Sequence, residues 1–137
     1  MVEQTLVLIK PDGVMKRVVA EIKQRYLDAG LRIVQERTIV MPEFRVREFY
    51  AEHTGKSFFE GLVLSMTSGP IVALVLEGED AIKKVRALNG ATDPSKAEPG
   101  TIRGDFRSAG GPFNMVHGSD SPEAVIREIQ IAFSGTF

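Results

Sequence analysis

Two uninterrupted apolar runs stand out from the alternation of hydrophobic and polar positions along the chain. They are TLVLI, residues 5–9, and IVALVL, residues 71–76. A short continuous apolar run is typical of a strand that is buried on both faces of a sheet. We therefore predict that these two segments form the central strands.

The segments after the first run change from helical to strand periodicity. An apolar stripe of Val18, Ile22 and Tyr26 predicts a helix that ends at Gly30, where a glycine can form the C-cap. Residues 31–40, LRIVQERTIV, carry polar residues on one side and predict a longer strand. The chain thus begins with a strand, a helix and a second strand.

Two short helices are predicted next. The second opens with a capping-box pattern from Ser57 to Glu60, in which each side chain satisfies a free backbone N–H, and it ends at Gly69. Apolar residues at helical spacing in 82–88 predict a further helix, which ends at Gly90.

The last third of the chain contains a long irregular stretch. Residues 91–113 hold three prolines and four glycines, a composition that predicts a loop, and so long a loop in a compact domain is usually functional. Residues 114–117 suit a short strand. The sequence Ser-Pro-Glu at 121–123 opens a final helix with an N-cap, a proline and a first-turn acid. The apolar stripe of that helix includes Ile126 and Phe133.

This order of elements predicts an α/β fold of the α+β sandwich type. Elements in the order βαββαβ form a split β-α-β, or ferredoxin-like, domain with a four-stranded antiparallel sheet covered by helices on one face. The long Pro/Gly-rich loop is an addition to this plan. With 137 residues, 43% of them hydrophobic, the chain has the size of one domain with a real core, so we expect residues 1–137 to form a single domain.

Composition and charge exclude several classes of function. The 17 basic and 18 acidic residues nearly cancel, which gives no electrostatic footprint for nucleic acid or an anionic membrane. An anionic ligand must therefore be met by a local cluster of cations. The longest apolar run is far below the roughly 20 residues of a membrane span, and the first residues lack the basic region of a signal peptide, so we expect a soluble cytoplasmic protein. The absence of cysteine excludes disulfides, thiolate catalysis and cysteine metal sites.

The sequence TGKS, residues 54–57, ends like a phosphate-binding P-loop, but its spacing fails. The first glycine of that motif would fall at Tyr50, and no buried strand precedes it. We interpret residues 54–57 as a turn that leads into the Ser57 cap. His53 lies beside it in a polar turn, where we interpret it as a solvated or locally bonded side chain.

His117 is the stronger candidate of the two histidines in the chain. It ends a short apolar segment, and Gly118 after it leaves the ring approachable. No serine or cysteine nucleophile is paired with it as in a hydrolase triad, and one further imidazole is too few for a zinc site. The functional roles that remain are general base and direct nucleophile, beside a purely structural role.

Cationic and hydroxyl side chains recur near the ends of the predicted elements. They are Lys10 after the first strand, Arg86 on a helix, and Thr92 and Arg103 in the long loop. Each alone is typical of a surface residue, but together they could surround a polyphosphate. An enzyme, a catalytically silent nucleotide-binding module and a structural or partner-binding α/β domain are all open at this level.

Five consecutive segments resemble the motifs of nucleoside diphosphate kinases, in the order of that family and over nearly the whole chain. They are KPDGV (10–14), FYAEHTGKSFFEGLV (49–63), SGPIVALVLEGEDAI (68–82), GATDPSKAEPGTIRGDF (90–106) and NMVHGSDSPEA (114–124). The run His-Gly-Ser-Asp-Ser in the last segment is the active-site signature of that family. The resemblance implies a ferredoxin-like sandwich that moves the γ-phosphoryl group of a nucleoside triphosphate to a histidine and then to a nucleoside diphosphate.

The resemblance also assigns roles to individual residues. It makes His117 the nucleophile, oriented by Glu128, and Ser119 is well placed to hold Glu128. It places Phe58 against the base. The phosphate and ribose site is lined by Lys10, Tyr50, Arg86, Thr92, Arg103 and Asn114.

The resemblance implies Mg²⁺ as cofactor, carried mainly on the nucleotide phosphates, so that few protein ligands are needed. The implied partners are ATP and other nucleoside tri- and diphosphates, together with further copies of the chain in a dimer, tetramer or hexamer. Neither nucleic acid nor a membrane is expected as a partner. The loop at 107–114 is one residue longer than is usual in the family and carries Phe113 where an arginine often precedes the asparagine. A path of this loop over the base would give a strong preference for one base.

Overall fold

The computed structural model describes residues 1–106 and 113–134. Within these residues the strands are β1 (Val2–Ile9), β2 (Arg32–Ile39), β3 (Ile71–Glu79) and β4 (Val116–Gly118). The helices are α1 (Pro11–Met15), α2 (Val19–Asp28), α3 (Glu43–Phe49), α4 (Phe59–Met66), α5 (Ala81–Asn89), α6 (Ile102–Asp105) and α7 (Pro122–Phe133), with 3₁₀ turns at Ala51–His53 and Pro94–Lys96. None of the helices in the described ranges has the length and apolar composition needed to cross a membrane.

The strands form one antiparallel sheet in the order β2-β3-β1-β4. β1 and β3 lie in its centre, as their apolar runs predict, and pair along β1 from Val2 opposite Glu79 to Ile9 opposite Val72. β4 pairs only with the end of β1. The predicted α+β sandwich with a four-stranded antiparallel sheet is confirmed.

Helices cover both faces of the sheet, so the expectation of helices on one face is wrong. Leu6 and Leu8 of β1 pack in the layer of α3, α4 and α7, whereas Val7 and Ile9 pack in the layer of α2, α5 and α6. Side chains of a strand alternate between the two faces, so an unbroken apolar run presents hydrophobic surface on both. Each face therefore needs its own helical cover.

The start of α7 follows the prediction, but its buried face does not. Ser121 Oγ accepts a hydrogen bond from a backbone N–H in the first turn at 3.1 Å, and Pro122 occupies the first helical position. Ile126, by contrast, is exposed, and the inner face contains Val125 and Glu128. A stripe of apolar residues alone cannot reveal that a carboxylate shares the inner face.

The predicted capping box at Ser57 is wrong. α4 begins at Phe59, its N-cap residue is Phe58, and no side chain caps it. The carboxylate of Glu60 instead accepts two hydrogen bonds from the guanidinium of Arg47 on α3, at 2.8 and 2.9 Å. The side chain of Glu60, which the local pattern assigns to the cap, therefore binds Arg47 on another helix.

The stretch 91–113 contains helical turns that its composition does not predict. Asp93 accepts a hydrogen bond from the N–H of Ser95 at the start of the 3₁₀ turn, and Thr101 Oγ1 caps α6. Side-chain caps of this kind stabilise short turns between prolines and glycines. Residues 107–112, where the predicted extra residue falls, lie outside the described residues.

We expect the substitution Gly118→Ala to destabilise the fold. A Cβ at this position would lie 2.9 Å from Val85 Cγ1 and 3.0 Å from Asn89 Nδ2, so it would push β4 away from α5. Overpacking of this kind costs about 1–3 kcal/mol, which urea unfolding measures as a lower free energy of unfolding. The matched control is Gly69→Ala, whose Cβ would meet its nearest side chains at 3.6 and 3.8 Å. Equal unfolding free energies for the two variants would contradict the close packing of β4 on α5.

Candidate active site

β4 carries His117 at the edge of the sheet and turns its ring toward the layer of α3, α4 and α7. His117 lies opposite Leu8 of β1, whose side chain packs in that layer. The imidazole meets the rings of Phe49 and Tyr50 edge to face, with ring centroids 5.0 and 5.7 Å apart. These contacts cover most of the ring, and 20% of the side chain stays exposed.

A buried carboxylate holds the His117 ring. Nε2 of His117 lies 2.8 Å from Oε1 of Glu128, and Ser119 Oγ donates a hydrogen bond of 2.7 Å to the same oxygen. Glu128 and Ser119 are both buried. Because a carboxylate only accepts hydrogen bonds, Nε2 carries the hydrogen in the neutral ring and the lone pair of Nδ1 is left for another partner.

A tight turn at Met115 sets the direction of the chain just before β4. Met115 has a φ of 75°, and the N–H of Val116 donates to the carbonyl of Asn114 at 2.8 Å, which is the pattern of a γ-turn. This left-handed conformation is strained for a residue with a side chain. Contacts to the segment after β1 hold it, because Met115 N–H donates to Asp12 Oδ2 at 3.0 Å and Met115 O accepts from Lys10 N–H at 2.9 Å. The turn therefore keeps Asn114 beside Lys10.

Lys10 lies at the bottom of the site, directly after β1. It is 2% exposed, and its Nζ donates to Asn114 Oδ1 at 2.8 Å. Burial lowers the pKa of Lys10 to about 8, although the nearby Asp12 carboxylate favours the charged form. A buried lysine with so perturbed a pKa, in a cleft, is typical of a functional site.

Arg103 binds backbone carbonyls from separate parts of the chain. Its Nε donates to Asn114 O at 3.1 Å, its Nη1 to Gly90 O at 2.7 Å and its Nη2 to Val116 O at 2.7 Å. Arg103 is buried, and this burial holds the pKa of its guanidinium below the usual value. Sequence reasoning predicts only a ligand-binding role for Arg103, whereas these contacts also join the end of α5 to α6 and β4.

Arg86 and Thr92 border the site on the side of α5. Arg86 is exposed, and its Nη1 donates to the carbonyl of Gly118 at 3.3 Å. Thr92 is also exposed, and its carbonyl accepts a hydrogen bond from Asn114 Nδ2 at 3.1 Å. The guanidinium and the hydroxyl therefore remain accessible to an anionic ligand.

Aromatic side chains between α3 and α4 form the opposite wall. Tyr50 is buried, which raises the pKa of its hydroxyl and keeps that group protonated. His53 stacks on Tyr50 with ring centroids 6.2 Å apart, and Phe58 lies 5.3 Å from His53. Phe58 is half exposed, so the face of its ring can stack against a planar ligand group.

A cleft of about 850 Å³ brings these groups together. Nine of the ten site residues predicted from the sequence line this cleft, and Ser119, the tenth, lies behind Glu128. The nine are Lys10, Tyr50, Phe58, Arg86, Thr92, Arg103, Asn114, His117 and Glu128. In the part of the chain that the structure describes, no group of three His, Cys, Asp or Glu side chains could hold a metal ion.

The sequence model of nucleoside diphosphate kinases matches residues 3–136. The chain belongs to this family. It is 54% identical over 131 residues to the nucleoside diphosphate kinase of Methanosarcina barkeri, a match that covers 96% of this chain and 87% of that protein. It is 51% identical over 134 residues to the nucleoside diphosphate kinase of Thermoplasma acidophilum, which covers 98% of this chain and 90% of that protein.

Solved structures of nucleoside diphosphate kinases have the same fold. The enzyme of Aquifex aeolicus is 42% identical and has a TM-score of 0.91, over 98% of this chain and 97% of that one. A halophilic enzyme from Halobacterium salinarum, solved in complex with CDP, is 44% identical and has a TM-score of 0.92, over 98% and 90% of the two chains. The resemblance of the sequence motifs to this family is confirmed.

Membership in the nucleoside diphosphate kinase family makes this chain an enzyme and a nucleotide-dependent phosphotransferase. None of these comparisons supports the catalytically silent module that the sequence left open. A purely structural domain predicts no clustering of Lys10, Arg86 and Arg103 about His117, yet all four side chains line one cleft.

Two features of the site are absent from the sequence-based description. The carbonyl partners of Arg103 are backbone groups brought together by the fold, so no local pattern signals them. His53 has the local bond that the sequence allowed for, because its Nδ1 lies 3.2 Å from Lys56 Nζ, but its place in the lining of the cleft was not predicted. The signal that could have identified it is the spacing of Tyr50, His53 and Phe58, three rings within nine residues.

We expect Lys10→Met to stabilise the folded protein at neutral pH. Because burial lowers the pKa of Lys10 from 10.5 to about 8, the folded chain holds this proton less tightly than the unfolded chain does. The free energy of unfolding of the wild-type protein should therefore rise between pH 8 and 10.5, by up to roughly 3 kcal/mol, and the variant should lack this rise. Urea unfolding across this pH range measures both. The control is Lys83→Met, at an exposed lysine of α5, and identical pH profiles for wild type and Lys10→Met would contradict the prediction.

We expect Arg103→Ala to lower the free energy of unfolding by about 3 kcal/mol or more. The substitution removes three charge-assisted hydrogen bonds and leaves their carbonyl acceptors without this donor. Arg86→Ala is the matched control, and it should cost less than about 1 kcal/mol because its guanidinium is exposed. Chemical denaturation compares the two variants. A similar small loss in both would show that Arg103 does not brace the site.

Proposed function

We propose that this enzyme transfers the γ-phosphoryl group of a nucleoside triphosphate to a nucleoside diphosphate in two steps, through a phosphohistidine on His117. The observation that carries the proposal is the hydrogen bond between His117 Nε2 and Glu128 Oε1 at 2.8 Å, in a ring that lines the cleft. With Nε2 engaged, Nδ1 is the nitrogen whose lone pair can attack. Membership in the family supports the overall reaction.

In the first step, Nδ1 attacks the γ-phosphorus and a nitrogen–phosphorus bond forms. The bond from phosphorus to the β–γ bridging oxygen breaks, and its electron pair leaves with the nucleoside diphosphate. Nε2 keeps its hydrogen, so the phosphorylated ring becomes positively charged, and the Glu128 carboxylate beside it stabilises that charge. In the second step, a terminal oxygen of the acceptor diphosphate attacks the phosphorus and the electron pair returns to Nδ1.

The cations of the cleft would hold the polyphosphate during both steps. Phosphoryl transfer requires the protein mainly to position the reactants and to stabilise charge on the phosphoryl oxygens. Arg86 offers an exposed guanidinium fork, and Arg103 has N–H groups beyond those that bind carbonyls. Lys10 adds a point charge at the bottom of the cleft.

We propose Mg²⁺ as the cofactor, bound mainly by phosphate oxygens of the nucleotide. Mg²⁺ gives up its waters reluctantly and is usually bound through substrate phosphates and one or two carboxylates, so few protein ligands are needed. Asp120, an exposed carboxylate of the cleft lining, is a protein group with suitable chemistry for contact with it. When bound, the ion neutralises phosphate charge.

We propose ATP and other nucleoside tri- and diphosphates as substrates, with little discrimination among bases. Phe58 offers the face of a ring, and stacking on such a face tolerates every base. Lys10 and Asn114 are suited to bind the ribose hydroxyls. The CDP complex of the Halobacterium salinarum relative supports nucleotide binding on this fold. The proposal includes a cytoplasmic homo-oligomer, whose copy number light scattering can measure.

Incubation with γ-labelled ATP and Mg²⁺ tests the proposed intermediate. Label should remain on the isolated chain, be released in acid and survive in base, which is the behaviour of a phosphohistidine. His117→Ala should abolish the label, while calorimetry with ADP and a circular dichroism spectrum show that the variant still folds and binds nucleotide. Label on the folded His117→Ala variant would overturn the assignment of the nucleophile.

A further inference from the structure

His53 lines the cleft between the rings of Tyr50 and Phe58, and the proposed reaction gives it no role. It ends the 3₁₀ turn Ala51–His53, which follows α3. Its side chain lines the cleft and is 28% exposed. Most of the side chain is covered by its neighbours, so of the two predicted states, solvated or locally bonded, the structure shows the second.

Ring contacts link His53 to both ends of the site. The imidazole stacks on Tyr50 at 6.2 Å between centroids with an interplanar angle of 27°, and it meets Phe58 at 5.3 Å and 59°. Tyr50 in turn meets His117 edge to face at 5.7 Å. The four rings form a continuous series of contacts from His117 to the half-exposed ring of Phe58.

Lys56 fixes the orientation of the His53 ring. Its Nζ lies 3.2 Å from His53 Nδ1 and 5.8 Å from the centroid of Phe58. Because an ammonium group only donates hydrogen bonds, Nδ1 is the acceptor, and Nε2 carries the hydrogen in the neutral ring. Nε2 lies 3.7 Å from Glu52 Oε1, on the other side of the ring. One cation therefore contacts both the imidazole and the ring of Phe58.

Phe58 contacts both of these neighbours. It is half exposed, and it occupies the N-cap position of α4, where no side chain caps the helix. Its ring contacts the imidazole of His53 and the ammonium group of Lys56. An aromatic ring that is held beforehand loses less side-chain freedom when a base stacks on it, and affinity rises accordingly.

We infer that His53 is a positioning residue of the nucleobase site, which packs against Phe58 and holds its ring ready for the base of a nucleotide. The inference rests on the proposed function, because it concerns the base of the same substrate. His53 should therefore raise the affinity for nucleotides that carry a base and leave the affinity for a sugar diphosphate without a base unchanged.

Calorimetry with three ligands tests this selectivity. The ligands are ADP, UDP and ribose 5-diphosphate, which keeps the sugar and phosphates but lacks a base. His53→Ala should raise the Kd of ADP and UDP by about three- to tenfold and leave that of ribose 5-diphosphate within about twofold. His53→Phe keeps a ring between Tyr50 and Phe58 and should restore most of the affinity. The matched control is Thr54→Ala, at the exposed neighbouring residue.

A double-mutant cycle separates an effect through Phe58 from a general one. If His53 acts by holding Phe58, then His53→Ala should cause no further loss of ADP affinity in the Phe58→Ala background. Transfer kinetics supply a second readout, because the KM for ADP should rise while kcat stays within about twofold.

Equal losses of affinity for ADP and ribose 5-diphosphate would overturn the inference, since His53 would then act on the sugar-phosphate site or on the fold. An unchanged Kd of ADP in His53→Ala would overturn it as well. If the wild-type protein bound ADP but transferred no phosphate, the proposed function would fail, and the ratio of the Kd values would still decide the role of His53. If the wild-type protein bound no ADP, both would fail.

Discussion

The hydrogen bond between His117 and Glu128 ties together two elements that meet at the edge of the fold. His117 lies on β4, Glu128 lies on α7, and Ser119 bonds the same carboxylate oxygen. A shift of β4 by one residue along β1 would turn the imidazole to the opposite face of the sheet. A shift of α7 by one residue would rotate Glu128 by about 100° away from it. The bond therefore requires one register of the strand together with one rotation of the helix. The packing of apolar side chains beneath α7 must fix both.

Charged side chains with little exposure lie in the cleft that contains this bond. Lys10, Arg103 and Glu128 are all buried, and each binds an oxygen or a nitrogen of another part of the site. Burial of charge costs free energy even when partners are present. The hydrophobic burial in the two apolar layers of the sandwich must offset this desolvation cost. The conflict between the stability of the fold and the proposed chemistry is strongest at Lys10, where burial disfavours the charged form and lowers the pKa of the ammonium group.

Sequence patterns predict those parts of the fold in which a local signal has one structural solution. The apolar runs at 5–9 and 71–76 locate the centre of the sheet, because an unbroken apolar strand suits only a position covered on both faces. Ser121 locates the start of α7, because its oxygen acts within one helical turn. The capping box at Ser57 fails because α4 begins only at Phe59, and the carboxylate of Glu60 binds Arg47 on α3. The motifs from which the cleft residues are predicted do not show which backbone carbonyls Arg103 binds. These outcomes depend on contacts between elements far apart in the chain, which local periodicity does not record.

The brevity of β4 has a consequence for the way the chain acquires its function. β4 has three residues, and its pairing partners Val7, Leu8 and Ile9 lie at the other end of the chain. Closing so large a loop costs conformational entropy. The pairing of three residues forms only a few hydrogen bonds to offset this cost. We expect β4 to join the sheet only once β1, β3 and α7 are in place. His117, the proposed nucleophile, would then be put in place among the last parts of the molecule, so a chain that has folded only in part could not yet turn over nucleotide.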